Sequence, residues 1–285
     1  MSKKTYNNKY YWLDLHDSFS GSLRAVGWPT LSEALNELKY QSESEAFTRS
    51  FSLSIDNRKL ARVLEVGVGI GFWTTLAKAY ASENNMTLDY SALDISSDAL
   101  RVVHERYPDV TCIESDLTEQ NASTAIEKYD VVTAIMVLLH LTNFNDYQKA
   151  LEFCAASVDE GGALIIYEPF LLRNYSPFIS KKYSQFKGNS FTQLKFQIDN
   201  ILDNLGFDQV AMMPGTSWLL NAPIQAGSKW GFFVKQAIWL VLYGSVFKSE
   251  KLTKALRKPL RALDALLKRG NGDSGTFVVY RKRNV

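Results

Sequence analysis

Hydrophobic and polar residues alternate in blocks along most of this chain, and the blocks predict strands and helices in turn. The predicted strands cover 62–67, 88–94, 110–114, 129–136, 161–168, 207–213 and 275–281. The predicted helices cover 72–84, 97–106, 145–158 and 190–205. Because strands and helices alternate, the pattern predicts an α/β fold built on a doubly wound, mostly parallel sheet.

The first 56 residues precede this alternation and are rich in aromatic side chains. Within them, 30–40 has leucines at helical spacing, and we expect a helix capped near Thr30 or Ser32. Pro29 immediately before this stretch fits a helix start. The aromatic residues either cover a binding site or pack on the sheet.

A second departure from the alternation is 214–274, which separates the last two predicted strands. Its part 230–247 is almost entirely apolar but short for a membrane span, and it contains Lys235. The following part, 248–269, combines a leucine face with many lysines and arginines, and Pro259 is predicted to kink or divide it. The pattern allows a membrane-surface element over 228–270, a helical cap over a substrate pocket, or a dimer contact.

Composition indicates a folded globular protein and argues against some classes of partner. The chain has 285 residues, of which 46% are hydrophobic and 22% charged, as in a folded globular protein. A net charge of +2 argues against a nucleic-acid partner. Cys112 and Cys154 lie in apolar contexts, and no cluster of histidines and cysteines suggests a metal site. The first residues lack the apolar core of a signal peptide, so we expect a cytoplasmic protein, with peripheral membrane contact left open.

The most informative stretch is 62–74, where glycines follow the first strand at every second position. Gly67, Gly69 and Gly71 differ from the dinucleotide spacing G-x-G-x-x-G, whose third glycine would fall at Phe72. Glu65, two residues before the first glycine, would repel a pyrophosphate but would suit an ammonium group. The spacing and the acid favour S-adenosylmethionine over a dinucleotide, with a glycine turn of another α/β protein as the alternative.

This stretch resembles motif I of the class I, Rossmann-like methyltransferases that use S-adenosylmethionine, and the resemblance extends over about 60–213 and 275–281. It implies a seven-stranded sheet in the order 3-2-1-4-5-7-6 with the last strand antiparallel. It also implies a helical lid over 1–56 and a cofactor-binding core over 57–213 plus 275–285. The insertion over 214–274 departs from the family, which normally joins its last two strands by a short turn.

Acidic residues also end the second and third predicted strands, and neighbouring ends of parallel strands line one crevice. The resemblance implies that Asp94 binds the ribose hydroxyls and that Ile95 packs on the adenine. It assigns Asp116 to the adenine amino group, the backbone of Leu117 to the ring, and Met136 to the methionine moiety. The alternative for both aspartates is a helix cap or a turn.

The candidate catalytic residues are His140, which follows the fourth strand, and Glu168, which ends the fifth. Either side chain is suited to deprotonate an acceptor hydroxyl, although His140 can also serve only as a contact and Glu168 as a salt-bridged carboxylate. The motif typical of enzymes that methylate nucleic-acid amino groups is absent. We therefore expect O-methylation of a small-molecule, sugar or lipid-linked acceptor. N- or C-methylation, a relative that binds S-adenosylmethionine without catalysis, and a homodimer stay open.

Overall fold

The computed structural model describes residues 7–56, 58–120, 127–172, 175–177, 190, 192–268 and 273–284. Its strands are β1 (Leu60–Val66), β2 (Thr87–Asp94), β3 (Thr111–Glu114), β4 (Tyr129–Ile135), β5 (Val158–Glu168), β6 (Phe207–Pro214) and β7 (Thr276–Lys282). Its longer helices are α1 (Asn8–Ser18), α2 (Glu33–Ile55), α3 (Phe72–Glu83), α4 (Ser97–Arg106), α5 (Phe144–Ser157), α6 (Lys195–Asn204), α7 (Trp218–Asn221), α8 (Lys229–Gly244) and α9 (Glu250–Leu267).

The seven described strands form one sheet in the order β3-β2-β1-β4-β5-β7-β6, which confirms the predicted order. Strands β1 to β5 run parallel to one another, whereas β7 is antiparallel to both β5 and β6. The carboxyl ends of β1, β2, β3 and β4 therefore meet at one edge, with the strand order reversing beside β1. Ligands of open α/β sheets bind at such a crevice.

Apolar side chains cover both faces of the sheet, as the continuous apolar strand sequences require. On one face, residues such as Leu151 and Phe153 of α5 pack against β4 and β5. On the other face, Phe51 of α2 and Trp73 of α3 join Tyr167 and neighbouring strand residues. Helices on both faces of a largely parallel sheet complete the doubly wound architecture.

Helix α2 begins at the predicted cap but is much longer than predicted. The side chain of Ser32 accepts a hydrogen bond from the Leu35 N–H, at 3.3 Å. The helix then continues to Ile55, because Phe47 and Phe51 extend its buried stripe across the sheet. Of the predicted lid, α2 thus packs largely as a core helix, while α1, Val26 and Tyr40 of α2 reach the crevice. Residues 1–6 lie outside the described part.

The described part of the insertion forms three helices, of which α7 and α9 pack on α2 and α8 packs on α7, and none of its described residues lines the crevice. Its buried residues Trp239, Phe247 and Leu260 share an apolar cluster with Leu35 and neighbouring residues of α2. Helix α9 continues through Pro259 and is not divided there, whereas a kink at this residue stays a prediction. Pro259 is exposed, so water can satisfy the carbonyl it leaves unpaired. Among the described residues, no helix is both long and apolar enough to cross a membrane. Arg269 lies outside the described part.

Candidate active site

A turn of three left-handed glycines links β1 to α3 and forms the floor of the crevice. Gly67 and Gly69 have φ angles of 71° and 53°. A Cβ on Gly67 would lie 2.5 Å from Val137, and one on Gly69 would lie 2.6 Å from Val26. The positive φ angles and the lack of room for a Cβ both require glycine, which explains the alternating glycines in the sequence.

Glu65 is not among the residues that line the two described cavities, and its expected contact with an ammonium group stays a prediction. It pairs in register with Ala92 and Thr133 of the two neighbouring strands, so it lies inside the sheet rather than beyond its end. Its Oε2 accepts hydrogen bonds from Thr74 and Tyr90, at 2.7 and 2.6 Å. Burial raises the pKa of Glu65 to about 7, against the opposing effect of these two hydrogen bonds. The residue ties β1 to β2 and α3 beneath the glycine turn.

Asp94, the last residue of β2, is buried at the crevice and held in a fixed orientation. One carboxyl oxygen accepts the N–H of Gly69 at 2.9 Å, and the other accepts the N–H of Ser96 at 3.0 Å. Each oxygen keeps a further lone pair for a ligand hydroxyl. Burial raises the pKa of Asp94 and lowers the pKa of the neighbouring His16 of α1. The side chain of Ser96, rather than that of Asp94, caps helix α4, because it accepts a hydrogen bond from the Ala99 N–H.

The crevice is a cavity that encloses about 780 Å³ of space outside the protein atoms, part of it open to solvent. Ile95, Leu117 and Met136 line it, and their expected contacts with the cofactor stay predictions. Aromatic side chains form much of the opposite wall, including Tyr40 of α2 stacked on Trp73 at 5.5 Å between ring centroids. Met136 has a positive φ of 55°, a conformation that non-glycine residues rarely adopt and that often marks functional sites.

A second, more open cavity of about 1000 Å³ adjoins the first. Asp116 lines this outer cavity rather than the inner one, and its Oδ1 accepts both the N–H and the hydroxyl of Thr118, at 2.9 and 2.8 Å. The outer cavity is more polar than the inner one. Asp116 therefore stabilises a turn through Oδ1, which was the alternative role for this residue. Its other carboxyl oxygen, Oδ2, is the one that can accept a hydrogen bond from a ligand.

His140 lies where the two cavities meet. It ends a short 3-10 turn, Leu138–His140, directly after β4, and it lines both cavities together with Asn8 and Leu141. The edge of its ring contacts Trp12 of α1, with 4.6 Å between ring centroids and planes at 77°. The first helix therefore places an aromatic side chain against the candidate base.

Glu168 is buried behind this turn and lines neither cavity. Its Oε1 accepts the N–H of Leu139 at 2.7 Å, and its Oε2 accepts the hydroxyl of Tyr147 at 3.1 Å. Burial raises the pKa of Glu168 to about 8, although both hydrogen bonds oppose the shift. The structure thus brings Glu168 to the turn that carries His140 but does not bring its carboxyl to the crevice.

These features fit the cofactor that the glycine spacing indicates. A buried carboxylate with remaining acceptor capacity suits a ribose, flanking aliphatic side chains suit an adenine ring, and a glycine floor admits close approach of a ligand. The sheet has the strand order expected of class I methyltransferases, and the residues of the site fit S-adenosylmethionine.

Comparisons with known proteins also point to a methyltransferase. Residues 63–162 match the family model described as a methyltransferase domain. Curated protein sequences gave no match.

Among solved structures, the chain is similar to a protein from Galdieria sulphuraria described as a candidate sarcosine dimethylglycine methyltransferase. The TM-score is 0.52 at 14% identity, with 85% of each chain covered, which shows the fold. The N-methyltransferase NodS from Bradyrhizobium japonicum WM9 has a TM-score of 0.48 at 12% identity, covering 86% of this chain and 98% of that one. An O-methyltransferase family protein from Burkholderia thailandensis has a TM-score of 0.49 at 13% identity, covering 86% and 56%.

The structure adds site residues that the sequence did not single out. Trp12, Val26 and Tyr40 line the inner cavity from the N-terminal region, and Asn8 lines both cavities. The aromatic composition of this region was the available signal, but it does not tell which rings face the crevice. His16 of α1 also lines the cavity, where burial lowers its pKa and the nearby Asp94 opposes that shift.

Proposed function

We propose that this enzyme methylates a hydroxyl oxygen of a small-molecule, sugar or lipid-linked acceptor and that His140 is the general base. The observation that carries the proposal is the position of His140, which lines the cofactor cavity and the outer cavity at their junction. An acceptor entering through the outer cavity meets this side chain before it meets the glycine floor. A histidine suits the role because its ordinary pKa lies near neutral pH.

The chain's own residues supply binding, orientation and exclusion of water. Asp94 and the glycine turn hold the cofactor, which brings a methyl group on a positively charged sulfur. Rings such as Tyr40 and Trp73 offer their faces to a cation and keep water out. Holding the acceptor and the methyl group in line accounts for much of the rate enhancement of such an enzyme.

Glu168 acts in this proposal as a positioning residue. Its hydrogen bond to the Leu139 N–H fixes the backbone next to His140. This assignment replaces a direct base role, since Glu168 lines neither of the two cavities. N- or C-methylation is the second candidate, and it does not require a base when the acceptor is already a strong nucleophile.

A screen of acceptor pools, read as release of S-adenosylhomocysteine, tests the proposal. Once a hydroxyl acceptor is found, His140→Gln is expected to lower kcat by roughly 100- to 10,000-fold while leaving cofactor affinity unchanged. The wild-type rate should rise with pH as the histidine loses its proton, and His140→Gln should lose that dependence. His104→Gln is the matched control, because His104 is exposed on α4. Turnover with amine acceptors only, or full activity of His140→Gln, would overturn the assignment.

A further inference from the structure

The insertion leaves apolar side chains on the outside of the molecule, where a surface helix is normally polar. On α8, Phe232 and Trp239 point inward. The outward positions are occupied by apolar residues, of which Trp230 is 80% and Val241 69% exposed. The exposed large apolar side chains of α8 are Trp230, Phe233, Val234, Ile238, Leu240 and Val241.

Helix α9 repeats the pattern and adds positive charge. Leu252, Leu256, Leu263 and Leu266 are exposed and recur at intervals of four, seven and three residues, with Pro259 continuing the same stripe. At helical spacing these positions form one apolar face. The cations Lys251, Lys254, Lys258 and Arg261 form a separate exposed face. An apolar face and a cationic face on one exposed helix are typical of helices that lie in a membrane interface.

The orientation of α9 is set by buried hydrogen bonds, so the fold itself holds these faces outward. Asp264 is 1% exposed and accepts hydrogen bonds from Thr216 at 3.1 Å, from the Ser217 N–H at 2.8 Å and from the Ser217 hydroxyl at 2.7 Å. The hydroxyl of Ser42 in α2 also donates to it. Rolling the leucine face inward would break this network and leave a buried carboxylate unpaired.

The insertion is also remote from the chemistry. Of the residues that line the inner and outer cavities, none comes from the described part of 214–274. The structure therefore gives no support to a cap over the substrate pocket, and two occupants of the apolar faces remain, a lipid surface and a second copy of the chain.

The positive charge of α8 and α9 favours a lipid surface over a second copy of the chain. Residues 229–268 hold nine lysines and arginines against two acidic residues, whereas the whole chain has a net charge of only +2. Self-association through these helices would bring two cationic segments together. An anionic lipid surface would accept the apolar side chains and attract the lysines at the same time. Trp230 is suited to the headgroup level, where tryptophan is enriched.

We infer that α8 and α9 form a docking surface for an anionic membrane, on which the enzyme binds peripherally. The inference does not depend on the acceptor or on the role of His140. It assigns to the insertion a function separate from methyl transfer, namely to hold the soluble core at the lipid surface.

Flotation with vesicles of known composition tests the inference on the full chain. One set contains phosphatidylcholine alone, and the other contains three parts phosphatidylcholine to one part phosphatidylglycerol. The protein should float with the second set much more than with the first, and added salt should weaken the binding. Lys251→Gln, Lys258→Gln and Arg261→Gln combined should lower partition to the anionic vesicles on the order of 100-fold.

A second variant removes apolar surface from α8 by combining Trp230→Gln, Val234→Gln and Val241→Gln. It should lose binding to both vesicle sets, and unchanged affinity for S-adenosylmethionine would show that it is folded. The matched control combines Leu60→Gln and Phe196→Gln, which remove exposed apolar side chains elsewhere, and it should float like wild type. Wild type that stays unbound to anionic vesicles would overturn the inference. A solution dimer that the α8 variant converts to monomer would assign the surface to a second copy instead.

Discussion

Apolar side chains face inward at the crevice but outward on the insertion, and the charged side chains of the two regions differ in burial as well. At the crevice, Asp94 is buried and held by two backbone N–H groups, and the apolar residues around it face inward. On the insertion, the buried polar residue Asp264 serves only to fasten α9, while leucines and lysines face outward. The crevice is arranged around a ligand within the fold, and the insertion is arranged toward something outside it. The difference supports separate roles for the two regions.

The first prediction adds one methyl group to the crevice. Gly69→Ala should weaken S-adenosylmethionine binding by roughly 10-fold or more, because the new Cβ meets Val26 and takes space in the cavity. Gly206→Ala is the matched control, since its φ of 85° imposes the same backbone strain with nothing within 4 Å of the added carbon. Isothermal titration of both variants measures the difference. Equal affinities would show that crowding at the glycine turn is unimportant.

A second prediction concerns stability and uses the buried carboxyl behind His140. Because burial raises the pKa of Glu168 to about 8 from an ordinary value of 4.5, the folded protein holds this proton more tightly than the unfolded chain. The resulting stabilisation is fully present below pH 4.5 and is lost as pH rises toward 8. Glu65 contributes in the same direction up to about pH 7.

Thermal unfolding between pH 5 and pH 8 measures this effect. The wild-type Tm should fall across this range, and Glu168→Gln should reduce the fall by a few degrees because glutamine does not titrate. Glu160→Gln is the control, since Glu160 is an exposed carboxyl on the same strand. A Glu168→Gln profile parallel to wild type would show that the buried carboxyl does not titrate as described.

The prediction with the smallest expected effect tests whether the insertion influences cofactor binding at the crevice. The combined α8 variant should bind S-adenosylmethionine with an affinity within about twofold of wild type, because no described residue of the insertion lines the crevice. Isothermal titration checks this expectation. A large loss of affinity in a variant with unchanged Tm would mean that the insertion communicates with the site, and the two regions would then not be separate.

The sequence predicted most of the fold because its signals are local. Strands β1, β4 and β5 are largely buried apolar runs, and Asp94 and Ile95 lie at the end of β2. The surroundings of Glu65 depend on register, since pairing with Ala92 and Thr133 puts it within the sheet, and register is not a local signal.

Residues far apart in sequence were harder to place. Trp12 meets His140 only because the path between α1 and α2 carries the first helix back over the crevice. The outward direction of the leucines on α9 likewise depends on contacts of Asp264 with Ser42 and Thr216, which no periodicity reveals.

The central claim is that the end of β2 and the glycine turn bind S-adenosylmethionine, and a calorimetric titration of wild type beside Asp94→Ala tests it. Wild type should bind one equivalent, and Asp94→Ala should lose roughly 10- to 100-fold in affinity as the hydrogen bonds to a charged group disappear. Asp98→Ala, which removes a partly exposed carboxylate from the first turn of α4, should bind like wild type. Absence of binding by wild type, or equal affinity of Asp94→Ala, would contradict the account.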